Sequence, residues 1–476
     1  HLTGPGSRQR MGALHGQLKD AILSGRISPG LRLPSTRALA DALGVSRNAV
    51  VAVYGLLLGE GYIEAATGAG HHVAPLPPGP PPTRPALARA VEPAWLNPAY
   101  RGLAATPDRS ALPAPCWDFR VGVPDKSELA FEVWRRLSAR CLRTLARRTV
   151  GYGPAQGQPA LRAAIAQHVS FARAVACSAD DVLVSAGAQQ AFSLLAQVLV
   201  TPGRTVVAVE HPGYPPARLA FEAAGARIVP VPVDDEGLVV ERLPAVARVI
   251  VTTPAHQFPL GMAMSAARRH ALLAFAQRHG AVVVEDDYDG EFRFDGRALD
   301  ALQTLDRNAS VCFVGTFSKS LFPALRLGYL VAPPWARLPL LAAKERMDWH
   351  CNLLSQETLA AFIAEGHLAR HVRRMGKRYA RRRTMLLERL DGALAPWLRP
   401  LPGSAGLHLA AQLAARHDAA AVAAQARAAG LGLACVADYG RAVPNALLFG
   451  YGAIDESAIG EALDRLAQLL KKPRAG

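Results

Sequence analysis

The chain has 476 residues, half of them hydrophobic, and carries a formal net charge of +16. This bounds it to a globular protein of about three domains, each able to bury a core. No run reaches the roughly eighteen uninterrupted apolar residues of a membrane span, and the opening HLTGPGSRQR lacks the apolar core of a secretory signal, so a cytoplasmic location with no membrane partner is expected. The six cysteines, Cys116, Cys141, Cys177, Cys312, Cys351 and Cys435, are scattered without a CxxC pair, which points to reduced thiols and away from a metal site. The charge is unevenly placed. Residues 1–75 hold seven basic and four acidic side chains, so most of the excess lies further on.

Leu14, Leu18 and Ile22 recur at i, i+4 and i+8 and predict a first helix ending near Gly25. Ser35 is placed to cap a second helix that turns Leu39, Ala40 and Leu43 inward and stops at Gly44. Ser46 then caps a third, with Val50, Val53, Tyr54, Leu57 and Leu58 inward. Arg47, Asn48 and Ala49 are left at its exposed start, where a recognition helix meets base edges. Gly61 to Val73, with Gly68 and Gly70 at a tight turn, predicts a two-stranded wing. Periodicity alone describes only a small helical domain. The string LHGQLKDAILSGRISPGLRLPSTRALADALGVSRNAVVAVYGLLLGEGY, however, resembles the reader of GntR-type bacterial transcription regulators along its whole length. The resemblance implies that Ser35, Arg37, Ser46, Arg47 and the wing glycine Gly70 contact a double-stranded DNA operator, and Asn48 joins them by position. At Ala49 relatives usually carry threonine, so one contact to phosphate or base is expected to be missing.

Residues 76–115, with PLPPGPPPTRP, show no sustained period and are expected to form a proline-rich linker between residues 1–75 and a large domain over 116–476. A flexible chain of about forty residues has an r.m.s. span of roughly 35 Å, so a reader can sit apart or lie against the other subunit of a dimer. Trp95, Leu96 and Trp117 offer apolar anchors along it, although single aromatics in a linker usually have no such role.

From Trp117 onward the apolar runs VLVSAG, TVVAVEH, RIVPVPV, RVIVTTP, AVVVEDD, SVCFVGTFS and LGYLVAP alternate with amphipathic stretches. That alternation predicts an α/β fold, a mostly parallel sheet covered by helices on both faces. Ligands gather at the carboxyl ends of such strands. Gly187 follows VLVSA, Asp286 follows AVVVE and Lys319 follows CFVGTFS, so three candidate groups meet at one edge. Singly they have ordinary readings as a turn, an acidic loop and a surface charge. Together they match a pyridoxal phosphate site, which needs a lysine for the imine with the cofactor aldehyde, an acid to keep the pyridine nitrogen protonated, and donors for the phosphate. Ala188 and Gln189 open a helix whose first amides face an anion, and Arg326 adds a permanent positive charge. Tyr214, in HPGYPPAR, offers a flat ring. Further on, HLARHVRRMGKRYARRR sets Arg370, Arg373, Arg374, Lys377, Arg378 and Arg381 on one helix face opposite Leu368, Val372, Met375 and Tyr379. A solvated outer face is the plain expectation there, and DNA running past it the sharper one.

The order GYGPAQGQPALR, SAGAQQAF, HPGYPPAR, TTPAHQFPLG, EDDYDGEF, GTFSKSLFPALRLGY resembles fold-type I aminotransferases. With the amino-terminal reader, the whole chain resembles the MocR-type subfamily of GntR regulators. The resemblance implies pyridoxal 5'-phosphate as cofactor, with Lys319 as the imine lysine, Asp286 as partner of the pyridine nitrogen and Tyr288 as donor to the phenolate oxygen. It also implies Tyr214 stacked on the ring and Thr316 and Arg326 on the phosphate. Tyr152 falls where this fold contributes a tyrosine across the subunit interface, which implies a homodimer. His256 and Gln257 replace the asparagine of the motif NPTG, and either is a candidate for the phenolate oxygen. Leu447 and Leu448 stand where such enzymes usually hold a substrate carboxylate with arginine, and Arg441 is the nearby substitute. The expected function is a transcription regulator that senses pyridoxal phosphate or an amine effector through its aminotransferase-like domain. The alternatives are a pyridoxal-phosphate-dependent aminotransferase with an accessory DNA-binding domain, and a cofactor-free dimerisation scaffold.

Overall fold

A computed structural model describes residues 7–66, 70–75, 96–101, 114–147, 151–294 and 300–471. The chain divides into two compact units, His1–Leu96 and Asn97–Gly476. Of the expected linker, only 96–101 and 114–115 are among the described residues; Gly68 and Trp95 lie outside them.

The first unit consists of α1 (Ser7–Leu23), α2 (Thr36–Leu43), α3 (Arg47–Gly59) and a hairpin of β1 (Ile63–Ala66) with β2 (Gly70–Val73). Both expected caps form: Ser35 Oγ accepts the Ala38 N–H at 3.2 Å and Ser46 Oγ accepts the Ala49 N–H at 3.3 Å. Gly44 ends α2 in the left-handed region. Leu14, Ile22, Val50, Val53, Tyr54 and Leu57 pack with Ile63 and Val73 into one core. Leu43 and Leu58 do not turn inward; both are more than two-fifths exposed. Leu58 is one residue, hence about 100°, past the buried Leu57 and so leaves the stripe, and Leu43 sits in the last turn where Gly44 leads the chain away. The wing also gains a third segment. The N–H groups of Gly30 and Leu33 donate to the Val73 and His71 carbonyls at 2.8 Å, and the Val73 N–H donates to Leu31 at 3.0 Å.

The second unit opens with α4 (Phe131–Leu145) and α5 (Pro159–Arg173), then alternates β3 (Val182–Ser185), α6 (Ala188–Leu199), β4 (Val206–His211), α7 (Pro215–Ala223), β5 (Arg227–Asp234), β6 (Gly237–Leu238) and β7 (Ala247–Thr252). There follow α8 (Ala266–His279), β8 (Val282–Asp287), α9 (Leu302–Leu305), β9 (Val311–Thr316), β10 (Gly328–Val331), α10 (Pro334–Met347) and α11 (Leu353–Ala364). All seven apolar runs become strands of one eight-stranded sheet, ordered β3-β10-β9-β8-β7-β4-β5-β6. Strands β9, β8, β7, β4 and β5 run parallel, whereas β10 is antiparallel to both β9 and β3. Residues 317–327 join β9 to β10 without a crossover helix, so the chain turns back on itself. Side chains on both faces are buried: Val209, Val251, Val284 and Val314 against α6 and α7, and Ala208, Ile250, Val283 and Val311 on the opposite face. This two-sided burial is why the strands read as continuous apolar runs.

The chain ends in α12 (His367–Asp391), β11 (Leu398–Pro400), β12 (His408–Leu413), α13 (Ala419–Ala428), β13 (Ala434–Cys435), β14 (Ala446–Gly450) and α14 (Glu456–Lys471). The four strands form a second, antiparallel sheet in the order β11-β12-β14-β13, packed on these helices around Leu386, Leu409, Phe449 and Leu463. On α12, Leu368, Met375 and Tyr379 are buried as the periodicity predicts. The opposite face is largely occupied by neighbours: Arg374 and Arg378 reach Glu128, and Arg381 reaches Glu456. Arg382 is fully buried, 2.6 Å from Asp125, and donates to the Tyr451 and Gly452 carbonyls. These intramolecular pairs favour the plain reading of the basic stripe over the DNA-facing one. Among the described residues, no helix is long and apolar enough to cross a membrane.

Candidate functional site

In the reader, Ser35, Arg37, Ser46, Arg47 and Asn48 are all exposed. The two serines accept cap bonds from their helices, which leaves each hydroxyl hydrogen available to an outside acceptor. Arg47 and Asn48 start α3, and Gly70 opens β2 with φ +88. A Cβ on Gly70 would stand 3.4 Å from the Arg32 guanidinium, so the glycine makes room for a cation beside the wing.

In the second unit the carboxyl edge of the large sheet brings its candidates together. Asp286 is the penultimate residue of β8 and is buried, and its Oδ1 has no hydrogen-bond partner. Burial, reinforced by Asp287, Asp289 and Glu210, pushes its carboxyl well above the ordinary range. Lys319 follows β9. Its Nζ donates to the Gly122 carbonyl at 2.6 Å, and burial lowers its pKa against the opposing pull of Asp289 and Asp286. A Cβ on Gly122 would lie 2.7 Å from that Nζ, so the lysine's position depends on a residue nearly two hundred positions away.

Around this pair stand the anion-binding groups. Gly187, at φ +84, precedes α6, which has no side-chain cap, so the amides at Ala188 and Gln189 are open to an anion. Arg326 lies over this turn, donating to the Ala186 carbonyl at 2.8 Å, and a Cβ on Gly187 would meet its guanidinium at 3.3 Å. Thr316 Oγ1 accepts the Ser318 N–H and lies 3.0 Å from Ser318 Oγ. Tyr214, at the start of α7, is 37% exposed and meets Phe258 edge-on at a centroid distance of 5.3 Å.

The phenolate side is a buried network. His256 Nδ1 lies 2.8 Å from the Tyr288 hydroxyl and 3.1 Å from Asp289 Oδ1, while its Nε2 is buried without a partner. Gln257 is committed elsewhere: its amide donates to the Pro212 and Phe258 carbonyls and to Glu210, and its oxygen accepts the Leu260 N–H. Of the two candidates, His256 alone keeps a free polar atom. His256, Asp289 and His408 bring donor atoms within 4.8 Å of one another, but Asp289 also accepts the Leu407 N–H and His408 Nε2 faces the Pro259 carbonyl. Burial, together with the nearby His256, drives the His408 pKa down to about 3, so this ring is neutral. Those bonds describe a packed polar core.

Glu210, Asp289, His408 and Gly122 carry no individual signal in the sequence. Glu210 is fully enclosed, held by the Thr253 hydroxyl at 2.6 Å and the Thr253 N–H at 3.1 Å, and burial raises its carboxyl. Leu447 and Leu448 are core residues of β14, and Arg441 lies on the loop before it, lining a cavity of about 620 Å³ that also touches Asp286 and Tyr214. Tyr152 is 81% exposed and edge-on to Trp349 at 4.2 Å.

Two families match the chain: "Bacterial regulatory proteins, gntR family" over residues 12–73, and "Aminotransferase class I and II" over residues 115–466. The probable rhizopine catabolism regulatory protein MocR of Rhizobium meliloti is 39% identical, covering 84% of this chain and 80% of the relative. The chain belongs to the MocR-type subfamily of GntR regulators. Other MocR-type relatives span nearly its whole length. The regulator TauR of Rhodobacter capsulatus is 35% identical over 98% of this chain and 97% of its own, and the pyridoxine biosynthesis regulator PdxR of Corynebacterium glutamicum is 32% identical over 93% and 92%. Among solved structures, the kynurenine aminotransferase of Pyrococcus horikoshii superposes with a TM-score of 0.69 at 27% identity, covering 74% of this chain and 90% of that one. LysN of Thermus thermophilus, complexed with N-(5'-phosphopyridoxyl)-L-leucine, gives 0.67 at 29%, covering 75% and 92%. This MocR-type chain is therefore a DNA-binding transcription regulator built on an aminotransferase-like domain.

Proposed function

We propose that residues 116–476 of this regulator hold pyridoxal 5'-phosphate at Lys319, and that the cofactor, or an amine competing for its aldehyde, sets how the reader engages its operator. One observation carries this reading: a buried lysine of depressed pKa and a buried acid with an unpartnered Oδ1 share one strand edge with an arginine and an uncapped helix start. With Oδ1 unpartnered, Asp286 is costly to bury. A ring nitrogen bearing a proton would supply the missing N–H and stabilise the carboxylate form.

The bound group would supply an aldehyde and an electron-withdrawing ring. The chain's residues do the rest. Lys319, whose ammonium form burial disfavours, offers an amine that reacts with an aldehyde. Asp286 holds the proton at the ring nitrogen. Arg326 and the amides of Ala188 and Gln189 bind phosphate, with Thr316 beside them, and Tyr214 covers the ring. A single Nδ1 cannot donate to Asp289 and accept from Tyr288 at once. With Nδ1–H held by Asp289, the Tyr288 proton is free to turn to a phenolate oxygen, and His256 is oriented with Nε2 inward.

We further propose a homodimer in which Tyr152 reaches the partner's phosphate site, and a cytoplasmic protein whose reader occupies residues 1–75 and whose linker occupies 76–115. Ser35, Arg37, Ser46, Arg47, Asn48 and Gly70 form the DNA-contacting set. An aminotransferase cycle is disfavoured because Leu447 and Leu448 are apolar core residues where a carboxylate-binding arginine would stand. The test is an absorbance titration of the full-length protein with pyridoxal phosphate, borohydride trapping with peptide mapping, and operator binding with and without cofactor. Label on Lys319 and a change in operator affinity are expected. Label elsewhere, or none, overturns the cofactor assignment, and unchanged operator binding overturns the sensing role.

A further inference from the structure

Most of the positive charge lies outside the reader, and α4 gathers a dense part of it. Residues 131–147 hold five arginines against one glutamate. On the helix surface Arg136, Arg140 and Arg143 fall within an arc of about 60°. Arg147 extends the row from the turn that follows, where its N–H donates to the Thr144 carbonyl at 3.2 Å. At the helical rise the row is about 16 Å long. All four of these side chains are exposed.

The other side of α4 is anchored. Leu137 is buried, Val133 packs against the same core, and Trp134 meets Phe322 and Phe362 at centroid distances of 5.8 and 5.5 Å. The Ser138 hydroxyl accepts that of Thr358 at 3.2 Å. The arginines therefore stand on a fixed base, and the apolar side of the helix, already enclosed, has nothing to insert into a lipid surface. Glu132 pairs with Arg135 at 2.7 Å and Glu365 with Arg140, whereas Arg136, Arg143 and Arg147 have no acid partner among the described residues. This separates α4 from α12, where Arg374, Arg378 and Arg381 are held by Glu128 and Glu456. A polyanion fits such a row: over 16 Å of its axis, duplex DNA presents about nine charges, and the guanidinium fork matches a phosphate.

We propose that this face of α4 is a second DNA-contacting surface, on which Arg136, Arg143 and Arg147 bind backbone phosphates of the duplex that the regulator occupies. Such contacts add affinity without sequence preference. They require no cofactor at Lys319.

The test is fluorescence anisotropy of the full-length protein, without pyridoxal phosphate, on a labelled mixed-sequence duplex of about 40 base pairs, with salt raised from about 50 to about 200 mM. Neutralising the row with Arg136→Gln, Arg143→Gln and Arg147→Gln together should lower the slope of log affinity against log salt by about 2.7, at about 0.9 per phosphate lost. The unaltered protein should accordingly lose about fortyfold more affinity over that salt range than the variant does. Arg143→Gln alone should lower the slope by about 0.9, and lysine at all three positions should preserve it. Arg204→Gln, Arg242→Gln and Arg278→Gln together remove the same charge from exposed positions outside α4 and should leave the slope unchanged. An unchanged slope in the α4 variants, or an equal fall in this second set, overturns the proposal. So does a change of oligomeric mass in the DNA-free α4 variant, which would make the row a contact between subunits.

Discussion

Burial acts on Lys319 and Asp286 in opposite pKa directions but toward one outcome, since it disfavours the cation of one and the anion of the other. A protonated ring nitrogen reverses this for Asp286, so the acid should contribute much of the cofactor's affinity. Asp286→Asn is expected to weaken pyridoxal phosphate binding by about ten- to a hundredfold, the range for losing a hydrogen bond to a charged group, read from an absorbance titration. Lys319→Ala should keep the phosphate-binding groups and lose the borohydride label. Both residues were legible in the sequence because each directly follows an apolar strand run, where the sheet sets its side chain at the ligand edge. Gly122, Glu210 and His408 were not. Their contacts join residues from about forty to two hundred positions apart, and a local pattern does not encode such pairs. The choice between His256 and Gln257 likewise waited for the fold, since only the bonds to Pro212, Phe258 and Glu210 show that the glutamine is occupied.

At the scale of single elements, helix ends were the most legible features, because a cap is a local bond between neighbours. Ser46 has two roles that substitutions separate. Ser46→Ala removes the cap on the Ala49 N–H and should cost about 1 kcal/mol in the reader's stability by denaturant melt. Ser46→Asp keeps a capping oxygen but adds a negative charge beside DNA, so operator affinity should fall while stability holds. The strand runs were legible for a similar reason, but the direction of β10 depended on the connection before it. Another element carries a pH signal absent from any sequence motif. Glu285 in β8 accepts the N–H groups of Leu302 and Gln303 at the start of α9, yet burial raises its carboxyl to about 7. Its folded pKa exceeds its unfolded one, so its contribution to stability is present below about 4.5 and lost as pH rises toward 7, with a slope of at most about 1.4 kcal/mol per unit. Glu285→Gln should flatten the pH dependence of the denaturation midpoint between pH 5 and 7. An unchanged slope would show that other buried acids dominate.

For the whole molecule, the open question is where each site obtains its tyrosine. Tyr152 is exposed and packs edge-on against Trp349, which fits a residue that completes a neighbouring subunit's site. A mixing experiment decides it. In a twofold dimer of a Tyr152→Ala chain with a Lys319→Ala chain, exchange across the interface gives one site both intact residues and leaves the other with neither. If each chain instead used its own tyrosine, every site would lack one group. Tyr152→Ala alone should therefore bind pyridoxal phosphate weakly, Lys319→Ala alone should give no label, and an equimolar remixed sample should recover tight, trappable cofactor at about a quarter of all sites, the fraction set by random pairing. The label should map to Lys319 of the Tyr152→Ala chain. Recovery absent after verified subunit exchange would place the tyrosine's role within its own chain. It would also remove the main reason for coupling two readers through the cofactor sites.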